Sequence, residues 1–325
     1  NGNNNFLAVS SHAFDMSIMD IWLPISLGGT LVFATEDERH SASRITELIN
    51  KHHITFIESP PTLLKSLVDD GISRKINHRI TIVSGGERLH ISLAKSLKKL
   101  GRVFNGYGPT ENSIYSTFFE FVGDAKMKIG KAIPNVFISI FDRSMQIAPP
   151  YAIGEIYLQG TGLSPGYINE SNNQDAFFKD PAKPKENLYK TGDLGYFDED
   201  GNIIFIGRQD NQCKIYGHRI EIDEIEKILL KHSLVKDVHV MLSNSLDNVL
   251  IEAYVVATKT MNVDDLRHDI LKLLSEWLPY YMLPQKIIFL QELIKTQNEK
   301  FDPKLQTPII NYSNYNNKPD NVAIK

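Results

Sequence analysis

Apolar positions fall into two periods along the first two-thirds of this 325-residue chain. Short apolar runs at 30–34, 55–58 and 80–83 alternate with stretches whose apolar residues recur at helical spacing. These stretches are 43–52 (Ile45, Leu48, Ile49), 62–68 behind Pro60 and Pro61, and 92–100. Proline fits a helix's first turn, because the amide proton it lacks has no partner there. The alternation predicts a mostly parallel sheet flanked by helices. From 134 to 158 the pattern changes to strands and turns, with strands over Val136–Phe141 and 155–158, and predicts an antiparallel sheet or distorted barrel. A further strand, 203–206, runs into the polar stretch 207–212, where composition shifts. Beyond it lies a smaller unit. A helix is expected over 221–232 (Ile222, Ile225, Ile228, Leu229) and another over Val263–Trp277, with strands at 235–241, 250–257 and 287–290 and a turn at 279–283. The Asn-, Tyr- and Lys-rich segment 311–320 has no periodicity and reads as a linker.

Composition narrows the classes. A formal charge of −4 leaves no electrostatic footprint for nucleic acid or an anionic membrane. The single cysteine, Cys213, precludes an internal disulfide framework and fits a reducing, cytoplasmic setting. No apolar run is long enough to span a bilayer, and the start does not read as a signal peptide. The chain does not open on methionine, which leads us to expect a piece of a longer chain.

The densest chemistry lies at Asn105, Gly106, Tyr107, Gly108, Pro109, Thr110 and Glu111. Glycines allow a sharp turn at a strand's end and close approach of backbone to ligand. Tyr107 offers a flat face for a purine, Thr110 a donor for phosphate oxygens and Glu111 a hard oxygen ligand for Mg²⁺. The same residues would also make an ordinary tight turn. Four other segments resemble sites. They are the glycine-punctuated run from Gly154 to Tyr167, the segment from Tyr189 to Leu194 with Asp193 beside Gly192, the segment from Gly207 to Lys214, and the loop around Lys300. The first lacks the spacing of a dinucleotide fingerprint. An acid beside a glycine, as at Asp193, is a common way to hold ribose hydroxyls.

Taken in order with Phe14-Asp15-Met16-Ser17, Ser84-Gly85-Gly86-Glu87 and the segment from Leu278 to Pro284, these motifs closely resemble the core motifs of adenylate-forming enzymes. The nearest match is the amino-acid adenylation domain of nonribosomal peptide synthetases, and the resemblance runs from Phe6 to about Leu305. It implies an α/β fold, with a partial large domain at 1–208 in which a mostly parallel sheet with helices joins a distorted antiparallel part. A small α+β lid domain at 209–308 and a linker at 309–325 toward a carrier domain would follow. It further implies ATP-dependent conversion of an amino acid to its aminoacyl-adenylate, then transfer to the phosphopantetheine thiol of a carrier protein among neighbouring synthetase modules. Adenine would meet Tyr107, Asn105 and the Gly85, Gly86 and Glu87 turn, with Gly106 and Gly108 shaping the loop. Thr110 would touch phosphate, Glu111 would ligate Mg²⁺, and Asp193 with Arg208 would hold the ribose. Lys300 would reach the substrate carboxylate and α-phosphate, and Asp210 would be the lid's hinge. Tyr216, Cys213 and Glu299 depart from the family pattern. The family's Ser/Thr/Gly-rich phosphate loop has no match before Phe14, so the isolated chain is expected to adenylate poorly.

The resemblance also assigns a substrate pocket to Asp15, Met16, Met19, Glu58, Val83, Gly85, Gly106, Ile114 and Tyr115, with Asp15 on the α-ammonium. Gly85 and Gly106 are expected to leave it deep. Glu58 stands out, since a carboxylate among apolar residues is costly unless paired. It predicts a basic side chain such as that of ornithine or lysine, unless Glu58 turns to solvent or pairs with Lys65 or Arg88. Alternatives are a D-alanine–carrier-protein ligase, whose Phe-Asp motif also reads on as at Met19, Asp20 and Ile21, and a catalytically incomplete nucleotide-binding fragment.

Overall fold

The structure is a computed structural model, and it describes residues 4–169, 173–180, 186–209, 212–215, 218–245, 248–258, 263–294 and 301–309. The chain forms two compact units, Asn1–Asp210 and Asn211–Lys325.

The first unit begins with β1 (Asn5–Ala8), α1 (Met16–Ser26), β2 (Thr30–Phe33), α2 (Glu36–Arg39), α3 (Ala42–Lys51), β3 (Phe56–Ser59), α4 (Pro61–Asp69), α5 (Ile72–Lys75), β4 (Ile80–Ser84), α6 (Ile91–Lys98), β5 (Gly101–Tyr107), β6 (Thr117–Glu120) and β7 (Lys131–Ala132). These strands make one sheet in the order β2-β1-β3-β4-β5-β6-β7. The first five run parallel and the last two antiparallel. The buried stripes of α3 (Ile45, Leu48, Ile49), α4 (Leu64, Leu67) and α6 (Ala94, Leu97) pack with Leu7, Ile57, Ile82 and Val103 in one core. Side chains alternate across a strand, so Glu58, Val83 and Gly106 belong to the opposite face.

A second sheet follows, from β8 (Val136–Phe141), β9 (Gly154–Gly160), α7 (Asn173–Ala176), β10 (Phe177–Lys179), β11 (Asn187–Phe197) and β12 (Ile203–Arg208). Its pairings are antiparallel. The small unit holds the hairpin β13 (Cys213–Ile215) and β14 (His218–Ile220), then α8 (Ile222–Leu229), β15 (Val235–Ser245), β16 (Asn248–Ala257), α9 (Val263–Trp277) and β17 (Lys286–Leu290). The last three strands form a mixed sheet. Ile225 and Leu229 of α8 and Ile270 and Leu274 of α9 pack in one core with Val240, Ile251, Ala253 and Val255 of the sheet. Phe301 packs with Tyr254, Val256, Ile288 and Leu290, its ring 4.4 Å from His239 and 4.8 Å from Tyr254.

Two elements escape the hydrophobic pattern. Helix α1 buries Met16, Ser17, Asp20 and Pro24 while exposing Ile18, Trp22 and Ile25, so it shows no clean apolar stripe. Strand β11 buries alternate residues from Tyr189 to Gly195, but two of them, Thr191 and Asp193, are polar, which hides its period of two from the hydrophobic pattern. Strand β12 runs to Arg208 rather than stopping at Ile206, because Arg208 sits directly across from Asp193 in the ladder.

Candidate functional site

Three parallel strands end side by side, β3 at Ser59, β4 at Ser84 and β5 at Tyr107. The crevice beyond such carboxyl ends is where open α/β sheets hold ligands. Beyond β5 the chain makes a single helical turn, Thr110–Asn112, and then bends sharply. Ser113 and Ile114 both have positive φ, 58° and 71°. A left-handed β-branched residue is strained and persists only where its surroundings enforce it. Here the enforcement is visible. Ser116 donates its N–H to the Tyr107 carbonyl at 2.7 Å, and a side chain at Gly108 would collide with the Ile114 carbonyl.

One polar cluster joins the two sheets of the first unit. The Tyr107 hydroxyl donates to Asp193 Oδ2 at 2.6 Å, and Arg208 donates to Asp193 Oδ1 at 2.7 Å. The Thr191 hydroxyl donates to the Ile156 carbonyl at 2.7 Å and accepts the Asp193 N–H at 3.0 Å. Burial first, then the adjacent carboxylate, raises the Tyr107 phenol well above its ordinary pKa, so it is a firm donor.

A second cluster lies at the start of α1. The Thr110 hydroxyl donates to Asp15 Oδ2 at 2.6 Å. Asp15 stands in the N-cap position without capping the helix through its side chain. Met16 is buried and Met19 half-buried in the next turn. Asp20 is buried, accepts the Ser10 N–H at 3.1 Å, and is raised to about 6 by burial against that hydrogen bond.

Glu58 is wholly buried on β3. It neither reaches solvent nor pairs with Lys65 or Arg88. The Tyr115 hydroxyl donates to its Oε1 at 2.6 Å, while Oε2 has no partner among the described residues. Burial, then the negative charges of Asp20 and Asp15, pushes Glu58 up to about 8, so it is a neutral acid at physiological pH. Gly85 and Gly106 do not open a deep pocket. A side-chain carbon at Gly106 would lie 2.7 Å from Tyr115 Cδ1, and one at Gly85 would strike the Tyr115 hydroxyl. The glycines instead make room for the Tyr115 ring, and that ring brings its hydroxyl to Glu58. Val83 is buried in β4, paired with Glu58 across the ladder.

The remaining sequence candidates are held as follows. Asn105 is buried and donates its amide to the Lys128 carbonyl at 2.8 Å. Gly86 is left-handed (φ 80°), and Glu87 accepts the Thr62 N–H at 3.2 Å at the start of α4. Glu111 is buried and accepts a hydrogen bond from the Tyr167 hydroxyl, and its carbonyl accepts the Ser164 N–H at 2.8 Å. Lys300, Asp210, Tyr216 and Glu299 lie outside the described residues. Sequence reasoning missed Tyr167 and Asp20. Tyr167 ends a glycine run already singled out, and Asp20 is an acid inside an apolar helix, a signal that could have found it. Among the described residues no group of three or more His, Cys, Asp or Glu side chains could hold a metal, and no helix is long and apolar enough to cross a membrane.

Known proteins resemble this chain in sequence and fold. The family model for an AMP-binding enzyme covers residues 1–168, and that for an AMP-binding enzyme C-terminal domain covers 224–300. Gramicidin S synthase 2 of Aneurinibacillus migulanus is 34% identical over 304 residues, which is 92% of this chain and 7% of that protein. Surfactin synthase subunit 3 of Bacillus subtilis (strain 168) is 35% identical over 312 residues, 93% of this chain and 24% of that protein. Among solved structures, the Vibrio cholerae adenylation domain AlmE in complex with glycyl-adenosine-5'-phosphate superposes with a TM-score of 0.79 at 26% identity, over 93% of this chain and 58% of that one. A four-domain nonribosomal peptide synthetase bound to AMP and glycine gives 0.62 at 29% identity, over 96% of this chain and 24% of that one. The chain therefore spans a small part of the curated relatives it matches.

Proposed function

The chain belongs to the AMP-binding enzyme family, and from that premise we propose that it activates an amino acid as its aminoacyl-adenylate and passes it to a carrier protein's phosphopantetheine thiol within a peptide synthetase. The observation that carries this reading is the grouping of Asp193, Tyr107 and Arg208 with Thr110 and Asp15 around the carboxyl end of β5. Asp193, its charge fixed by Arg208, takes the ribose hydroxyls. Tyr107 and the Ser84-Gly85-Gly86 turn border the adenine. Thr110 exchanges its bond to Asp15 for one to phosphate, and Asp15 then receives the substrate's α-ammonium. The substrate carboxylate attacks the α-phosphorus in line, a new P–O bond forms, and the bond to the β-phosphate breaks to release pyrophosphate. Lys300 offsets the charge that converges there, and Asp210 is the hinge on which the lid brings it in.

Mg²⁺ fits the donors in hand. A single buried carboxylate suits a hard cation that keeps waters and takes its other ligands from nucleotide phosphates. Glu111 would hold it, and the ion would neutralise phosphate charge during the displacement.

The side chain selected is that of a basic amino acid. Glu58 is a buried acid with one oxygen that has no partner among the described residues, backed by Asp20 and Asp15, and a second ammonium group would satisfy it as a carboxylate. ATP–pyrophosphate exchange by the full-length synthetase across the amino acids tests both levels. Exchange with ornithine or lysine is expected. Preference for leucine or phenylalanine would overturn the side-chain assignment, and no exchange with any amino acid would overturn the activity.

A further inference from the structure

The glycine-punctuated run that ends at Tyr167 has no task in the chemistry above, yet it is tied to the turn that carries Glu111 at three points. Ser164 N–H donates to the Glu111 carbonyl at 2.8 Å, the Ser113 hydroxyl donates to the Gly162 carbonyl at 2.7 Å, and the Tyr167 hydroxyl donates to the Glu111 carboxylate. The first fixes the backbone at Glu111 itself, the second anchors Ser113 two residues further on, and the third fixes the Glu111 side chain.

Tyr167 is itself seated. Its N–H donates to Asn173 Oδ1 at 2.6 Å, Asn173 Nδ2 donates back to its carbonyl at 3.2 Å, and its ring meets Phe177 edge-on at 5.4 Å. Gly166 permits this seat, being at φ 142° with the Asn173 amide within 3.0 Å of where a side-chain carbon would stand. A phenol held at backbone, ring and hydroxyl leaves the carboxylate it grips little rotamer freedom. A bond from a neutral donor to an ionised acceptor is also of the stronger kind.

We propose that Tyr167 is a positioning residue for Glu111, holding its carboxylate in the orientation that receives the nucleotide's Mg²⁺. The inference rests on the reading of Glu111 given above. A ligand already fixed loses less freedom when the ion arrives, so removing the brace weakens the ion's retention without touching the nucleotide's other contacts.

The test measures ATP binding to the full-length synthetase by calorimetry across a Mg²⁺ titration and in EDTA, with thermal unfolding alongside. Tyr167→Phe keeps the ring and removes the hydroxyl. It is expected to raise the Mg²⁺ concentration needed for half-maximal enhancement of ATP binding about fivefold to tenfold, with binding in EDTA unchanged. Asn173→Ala, which loosens the seat, should move the same quantity in the same direction, and keeps the test available if Tyr167→Phe does not fold. Glu111→Gln should abolish the enhancement. An unchanged Mg²⁺ requirement in Tyr167→Phe beside a lost one in Glu111→Gln overturns the brace and leaves the reading of Glu111 standing. An unchanged requirement in Glu111→Gln overturns both.

Discussion

Thr110 and Asp15 are joined by a 2.6 Å hydrogen bond across 95 residues of sequence. The proposed function gives one to phosphate and the other to the substrate's ammonium, so in the structure each occupies the other. Filling the site must exchange this bond for two intermolecular ones, and the halves can be separated. Asp15→Asn keeps an acceptor for Thr110 but loses the charge, so the KM for the amino acid should rise roughly 10- to 100-fold, equivalent to about 1.5–3 kcal/mol for a hydrogen bond to a charged group. The KM for ATP should hardly move. Thr110→Ala should do the reverse, lowering kcat while leaving the amino acid's KM no higher. Exchange kinetics with each substrate varied in turn would expose a wrong assignment as matching losses in both parameters.

Glu58 makes stability depend on pH. Its carboxyl titrates near 4.5 when unfolded and is pushed up to about 8 when folded. Between those values the native chain holds a proton that the unfolded chain has released, so stability falls as pH rises. The slope is about 1.4 kcal/mol per pH unit, and it levels off above pH 8. Asp20, raised from 3.8 to about 6, adds the same sign of slope only below pH 6. Urea unfolding at pH 6, 7 and 8 should therefore show a declining stability that Glu58→Gln abolishes. An identical decline in the variant would locate the titration elsewhere.

Lys300 is assigned to the transition state and not to nucleotide binding. Losing one preorganised donor at the reacting centre costs roughly 3–4 kcal/mol of barrier. Lys300→Ala should thus lower the adenylation rate about 10²- to 10³-fold while ATP affinity stays within a few-fold. Single-turnover adenylate formation and equilibrium ATP binding, measured on the same preparation, decide between this role and a binding one.

The parallel sheet and its helices were legible because their core alternates cleanly. Ile57, Ile82 and Val103 pack in one core with the stripes of α3, α4 and α6. Helix α1 and strand β11 were not, because each turns polar groups inward at the site itself. Asp20 and Ser17 are buried in the helix, and Thr191 and Asp193 in the strand. The candidate residues could be picked from motif order, but their partners could not. That Tyr115 fills the space beside Gly85 and Gly106 and ends on Glu58 depends on the left-handed Ser113 and Ile114, a backbone bend no side-chain pattern announces. The same holds for Tyr167, whose reach to Glu111 is set by a loop closing from 56 residues away.

The protonated state of Glu58 gives the proposed side-chain preference a signature beyond a ranking of substrates. Below about pH 8 Glu58 is a neutral acid, with Tyr115 donating to one oxygen and the other without a partner among the described residues. A diamino acid must convert it to a carboxylate, so each binding event releases a proton. Apparent affinity should then rise up to tenfold per pH unit between pH 6 and 8, as long as the ligand's own ammonium groups stay charged. Calorimetry in two buffers of different ionisation enthalpy should report close to one proton released at pH 6.5. Glu58→Gln should bind the diamino acid weakly, without pH slope or proton release, and should take an uncharged amide side chain such as glutamine at least as well as the parent does. Uptake of ornithine or lysine with no proton release would mean that the cation meets a group other than Glu58, and would move the specificity wall away from β3.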